Sequence, residues 1–144
     1  MIVGVFLEVT ILRIPNRQSN KLYKNLISFG KNIYKKEYGF NHFDTLNMHQ
    51  SFEVTCVSDN KNKILSKLDK YEKIKKYKFY KNLIKFNKID LVVIATNTES
   101  HLSIINEIIK KKVKIALIEK PLSNKIEELN ELVRIKSSTK TKIV

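Results

Sequence analysis

Cysteine occurs once in this chain, at Cys56, so no intrachain disulfide can form. A single cysteine among three histidines also excludes a zinc-type Cys/His cluster. Cys56 lies in an apolar, strand-like run, where a lone cysteine packs as a small hydrophobe. A reducing, cytoplasmic setting fits that usage. Glycine (three) and proline (two) are too few for a loop-rich fold. No long apolar stretch crosses a bilayer. The N-terminal run MIVGVFLEVTILRI is interrupted by Glu8 and lacks the basic leader and cleavage site of a secretion signal. Arginine is scarce, with three residues (Arg13, Arg17, Arg134) against 25 lysines.

The formal charge of +14 would by itself suggest a nucleic-acid or membrane-surface partner. Surfaces built for phosphates and bases favour the bidentate fork of arginine. A lysine excess alongside abundant asparagine and isoleucine reads instead as basic drift over the whole chain. No helix-turn-helix, RNA-binding or zinc pattern supports a nucleic-acid binder, and no nucleic acid or membrane is expected as partner.

Alternation organises what is present. Residues 1–20 end in the turn-like PNRQSNK and stand outside it, as an N-terminal extension. From residue 21 to 144 strand and helix signals take turns. NLISFG (25–30) predicts the first strand, and Gly39 divides the mixed segment after it. SFEVTCVSD (51–59) is β-branched and apolar, as a strand should be. Ile64, Leu65, Leu68 and Tyr71 then recur at helical spacing. KKYKFY is a short strand and KNLIKFNK a helical turn or two. IDLVVIAT (89–96) is continuously apolar, as expected of a strand buried on both faces of a parallel sheet. The next helix places Leu102, Ile105, Ile108 and Ile109 on one face, with Asn97 or Thr98 as N-cap. VKIALIEK is a strand. SNKIEELNELVRIK is a helix with Ile126, Leu129, Leu132 and Val133 inward, and KTKIV begins one more strand. Such alternation predicts an α/β fold, a doubly wound parallel sheet with right-handed crossovers.

In doubly wound sheets ligands bind beyond the carboxyl ends of the strands, which selects candidate positions without any motif. After the first strand a pyrophosphate site wants Gly-x-Gly-x-x-Gly, so that backbone amides approach the phosphates at a helix N-terminus. The stretch here reads Ser28, Phe29, Gly30 and, three further on, Ile33, so one glycine of the three remains. An ordinary strand-to-helix turn accounts for it equally well. Asp59 ends the second strand, 31 positions after Ser28. An acid there can hold ribose hydroxyls and repel a 2′-phosphate, favouring NAD over NADP. It can equally cap the next helix. Thr96, Asn97 and His101 line the start of a helix, where capping is the plainer use and a single histidine is more often structural than catalytic. Glu119, Lys120 and Pro121 close the fifth strand.

The stretch from Ile89 to about Val133, with TNTESH before its helix and Glu-Lys-Pro after its strand, resembles the Gfo/Idh/MocA oxidoreductases. FEVTCVSD and NLISFG are similar to that family's second and first strands, so the resemblance covers roughly 22–144. It implies a Rossmann domain followed by a second, larger α/β domain. It implies hydride transfer between the nicotinamide of NAD(P), NAD favoured, and a hydroxyl carbon of a sugar or cyclitol. By the same resemblance Lys120 is catalytic, near nicotinamide and substrate hydroxyl, where a cation stabilises developing oxyanion character. Ser28, Phe29, Gly30, Asp59, Thr96, Asn97, His101, Glu119, Lys120 and Pro121 fall to the cofactor, and no metal is implied. Three departures stand out: Ser28 and Ile33 replace small loop residues, and Asn97 replaces a common proline. The sequence ends at KTKIV, before the substrate domain with its Asp and His. The expectation is therefore a truncated NAD(P)-binding domain, incompetent alone, whose sugar-like substrate needs a second domain and which can form an oligomer. The alternative is a non-catalytic Rossmann remnant or binding module with an eroded phosphate loop.

Overall fold

The computed structural model describes residues 9–13, 42–47 and 51–144. Six strands form one sheet: β1 (Val9–Arg13), β2 (Glu53–Ser58), β3 (Lys75–Tyr77), β4 (Leu91–Ile94), β5 (Ile115–Ile118) and β6 (Lys142–Ile143). Their order across the sheet is β3-β2-β1-β4-β5-β6, that of the doubly wound dinucleotide-binding fold. The helices are α1 (His42–Asn47), α2 (Asn62–Ser66), α3 (Tyr80–Phe86), α4 (His101–Lys110) and α5 (Ile126–Ser138), with a single 3₁₀ turn, Thr98–Ser100, leading into α4.

Alternate residues along β4 and β5 feed two cores, and β2, irregular between Val54 and Cys56, feeds both. On one face Cys56, Val92, Ile94, Ala116 and Ile118 pack against Leu83 and Ile84 of α3, Ile104, Ile105 and Ile108 of α4, and Leu132 and Ile135 of α5. On the other, Val54, Val57, Leu91, Val93 and Ile115 pack against Phe43 and Leu46 of α1 and against Leu68 and Ile74. All four residues of β4 are buried, as its unbroken apolar run requires of a strand covered on both sides. Strands β2–β3, β4–β5 and β5–β6 are parallel.

The central strand differs from the sequence-based expectation. β1 is Val9–Arg13, within the segment expected to stand apart, and it runs antiparallel to both neighbours. The segment NLISFG, with Ser28, Phe29, Gly30 and Ile33, lies outside the described residues. The physical reason is local. VTILR is β-branched and apolar, and backbone in the central slot pairs its N–H and C=O groups on both sides. A continuous apolar run marks strand character but carries no direction.

Helix faces differ in detail too. In α4, Ile104 joins Ile105 and Ile108 in the core, while Leu102 and Ile109 are half-buried. In α5 the inward pair is Leu132 and Ile135, Leu129 is half-buried, and Ile126 and Val133 are 63% and 65% exposed. Four apolar positions spread over more than one face of α5, and only packing on the sheet selects among them.

Polar contacts fix the entry to α5. The Ser123 hydroxyl donates to Glu128, the Lys125 N–H donates to Ser123 Oγ at 3.1 Å, and Lys125 Nζ donates to Glu128 at 3.0 Å. The hydroxyl and the ammonium hold the Glu128 carboxyl below its ordinary 4.5. The Cys56 thiol, shut away from water, is pushed up to about 11 by burial.

These contacts make the stability of the fold testable at three positions. Ile105→Ala should lower unfolding free energy by roughly 2–5 kcal/mol in urea titrations, whereas Ile126→Lys should stay within about 0.5 kcal/mol. Because the Glu128 carboxyl is depressed in the fold, its contribution exists above the unfolded value and is lost as pH falls through the folded one. Wild type should therefore exceed Glu128→Gln in stability at neutral pH, the difference closing on acidification. Cys56 should resist alkylation at about pH 8 in the native chain and react promptly in denaturant.

Candidate functional site

Register brings the strand ends level. Val9 of β1 pairs with Ser58 of β2 on one side and with Ile94 of β4 on the other, and Ile94 pairs with Ile118 of β5. The next residues along the chain, Asp59, Ala95 and Glu119, therefore leave the sheet along one edge. The Glu119 N–H donates to the Ile94 carbonyl at 2.9 Å and extends the β4–β5 ladder by one step. The Ile118 N–H donates to the Val144 carbonyl at 2.9 Å on the far side. Lys120 is thus delivered to this edge by backbone pairing.

The loop after β4 is held by its own polar groups. Ser100 Oγ lies 2.8 Å from Thr96 Oγ1, 2.7 Å from the Asn97 carbonyl and 2.8 Å from Asn97 Oδ1. The Asn97 amide donates to Glu99 at 2.9 Å, and its side chain caps no backbone N–H. Thr96 is half-buried and Asn97 exposed.

His101 opens α4 and is buried at 1% exposure. Its Nδ1 lies 3.1 Å from the Leu122 carbonyl and its Nε2 3.2 Å from the Thr96 carbonyl. A neutral ring donates to one of these at a time, a protonated ring to both. The ring ties the loop after β4 to the turn after β5.

Asp59 is buried, and its Oδ1 accepts the Lys61 N–H at 2.8 Å, turning the chain into α2. This is an Asx turn ahead of the helix rather than a helix cap: the N-cap of α2 is Lys61, and no side chain caps it. Beside it Ser58 Oγ is buried with no hydrogen-bond partner among the described residues. At the end of β5 the Lys120–Pro121 peptide is cis. Lys120 and Pro121 are exposed, and no ion pair of Lys120 forms among the described residues.

One neighbour carried no sequence signal. His42, at the start of α1, bonds through Nε2 to Oε1 of Glu119, 77 positions along the chain. Its partner's other oxygen, Oε2, accepts the Lys120 N–H at 3.3 Å. No spacing rule links a histidine on one crossover to a carboxylate on another.

The structure thus gathers Asp59, Thr96, Asn97, Glu119, Lys120 and Pro121 along one edge and adds His42. His101 faces two backbone carbonyls there. Among the described residues the edge offers a cation without a carboxylate partner, short polar side chains and a buried hydroxyl without a hydrogen-bond partner, which suit the polar nicotinamide and ribose groups of a dinucleotide. The pyrophosphate end is different. β1 meets the edge at Val9, its first residue, so no strand-to-helix loop leaves β1 there. No group of three or more His, Cys, Asp or Glu among the described residues could hold a metal ion.

Comparison with known proteins bears on the family and the fold. Residues 36–144 match the family described as "Oxidoreductase family, NAD-binding Rossmann fold" (GFO_IDH_MocA). No curated protein matches. Among solved structures, an oxidoreductase from Agrobacterium radiobacter in complex with NAD+, L-tartaric acid and magnesium superposes with a TM-score of 0.62 at 20% identity. The match covers 68% of this chain and 29% of that one. A myo-inositol 2-dehydrogenase from Lactobacillus plantarum gives 0.59 at 19% identity, covering 65% and 28%. The WlbA dehydrogenase from Chromobacterium violaceum, in complex with NADH and UDP-GlcNAcA, gives 0.57 at 14%, covering 85% and 31%. The matched regions span under a third of each of these chains.

The His101 tie has a measurable consequence. His101→Phe keeps a ring in the space but removes the N–H that bonds to these carbonyls, which should lower stability by about 1–3 kcal/mol in urea unfolding.

Proposed function

The chain belongs to the Gfo/Idh/MocA oxidoreductase family, with its NAD-binding Rossmann fold, and on that premise we propose that it forms the nicotinamide half of a dehydrogenase site. The observation that carries this reading is the register that sets Thr96, Asn97, Glu119 and Lys120 on one edge, with the Lys120 ammonium free of any carboxylate among the described residues.

A bound NAD(P) supplies the hydride acceptor or donor. The chain's own residues supply the surroundings. Lys120 would donate hydrogen bonds to the reacting oxygen and steady the negative charge that grows on it as its proton passes to a base supplied by the second domain. Thr96 and Asn97 offer short polar groups to the ribose and carboxamide end. The Asp59 carboxylate, at the end of β2, disfavours a 2′-phosphate and so favours NAD. The substrate is a sugar or cyclitol hydroxyl carbon, met only when a second domain closes over this edge. Without that domain the chain binds cofactor and does not turn over. Among the described residues no helix is long and apolar enough to cross a membrane, and the single buried thiol suits a cytoplasmic setting.

A second reading draws on β1. β1 reaches this edge at its first residue, so among the described residues no phosphate loop follows it there, which favours a non-catalytic Rossmann remnant. Titration with NADH, followed by fluorescence, separates the two. The first reading expects saturation, weaker binding of NADPH, and about tenfold weaker NADH binding in Lys120→Ala, the size of one charge-assisted hydrogen bond. Absence of saturation at millimolar NADH leaves the remnant.

A further inference from the structure

The turn that carries Lys120 is gripped at both ends by histidines from different layers. At its far end the buried His101, first residue of α4, meets the Leu122 carbonyl at 3.1 Å. At its near end His42 bonds to Glu119, whose second oxygen accepts the N–H of Lys120. The two histidines differ in kind. His101 is enclosed in the fold, whereas the His42 and Glu119 side chains are 37% and 42% exposed. The core does not need the His42 contact, because α1 is already seated on the opposite face of the sheet by Phe43 and Leu46, at 2% and 3% exposure. A half-exposed ion-pair geometry contributes little to stability. Its effect is local: Oε1 of Glu119 is engaged by the imidazole and Oε2 by the Lys120 amide. A carboxylate so engaged is less available to neutralise the ammonium of the next residue.

From this chain of contacts the structure assigns His42 a positioning role. Through Glu119 it sets the backbone of Lys120 and keeps the Lys120 ammonium available to a ligand at the sheet edge. The assignment rests on the reading of Lys120 as the cation on the nicotinamide side, but its geometry concerns the protein alone.

A double-mutant cycle in the full chain tests it. His42→Ala should weaken NADH binding roughly threefold to tenfold, the range expected for residues sharing a network. In a Lys120→Ala background the same change should have no effect. His42→Gln, which keeps a donor at that position, should recover most of the affinity. His42→Glu, a polar residue that faces Glu119 with like charge, should behave as His42→Ala and serves if the alanine variant folds poorly. An additive loss in the Lys120→Ala background, an unchanged affinity, or no recovery in His42→Gln overturns the role.

A second readout needs no cofactor. In heteronuclear amide spectra His42→Ala should shift the Lys120 backbone resonance and speed its hydrogen exchange, and His42→Gln should restore both. An unmoved Lys120 amide overturns the assignment. If NADH does not bind at all, the functional reading fails while this amide measurement still decides the positioning role.

Discussion

The hydrogen bonds between β4 and β5 are the contacts on which the candidate site depends. Parallel pairing sets Leu91 to Ile94 beside Ile115 to Ile118, and the Glu119 amide continues that ladder onto the Ile94 carbonyl. Two strands so paired must end together, and the loops leaving them must emerge at one edge. Thr96, Asn97 and Lys120 become neighbours for that reason, although over twenty positions separate the two loops. Slippage by one residue would reverse every side chain on β5, moving Ala116 and Ile118 out of one core and Ile115 out of the other.

Apolar burial fixes the register and polar contacts finish the edge. Val92, Ile94 and Ala116 are essentially inaccessible to water, so the sheet has little freedom to slide. The loops beyond it are short of apolar anchors. Ser100 gathers the loop after β4, and His101 joins that loop to the turn after β5. Glu119 receives His42 from the other layer. The cation at the edge is therefore mounted on hydrogen bonds, each individually modest, above a sheet held by hydrophobic packing.

The centre of the sheet departs from the simple parallel pattern. β1 satisfies the inner edges of β2 and β4 while running against both. A strand's direction decides which of its ends reaches the ligand edge, and here that end is Val9. The strand order remains that of a dinucleotide-binding sheet while the phosphate-binding end of the site has no support from β1. The edge built on β4 and β5, proposed as the nicotinamide end, is untouched by that difference.

Much of the architecture could be read from residue order because its signals are local. The unbroken run of β4, the helical recurrence of Ile105 and Ile108, and the Glu-Lys-Pro at the end of β5 each lie within a few neighbouring residues. Strand and helix order, the sheet class and the family resemblance arise from such runs. Other features are decided between distant segments. Which side of α5 faces inward depends on the sheet beneath it, so Ile135 is buried where Val133 was expected. The pairing of His42 with Glu119 joins two crossovers on opposite faces. The direction of β1 depends on which chain satisfies two open strand edges. Periodicity records what a segment prefers for itself; partners, register and direction are properties of pairs, and only the folded chain brings those pairs into contact.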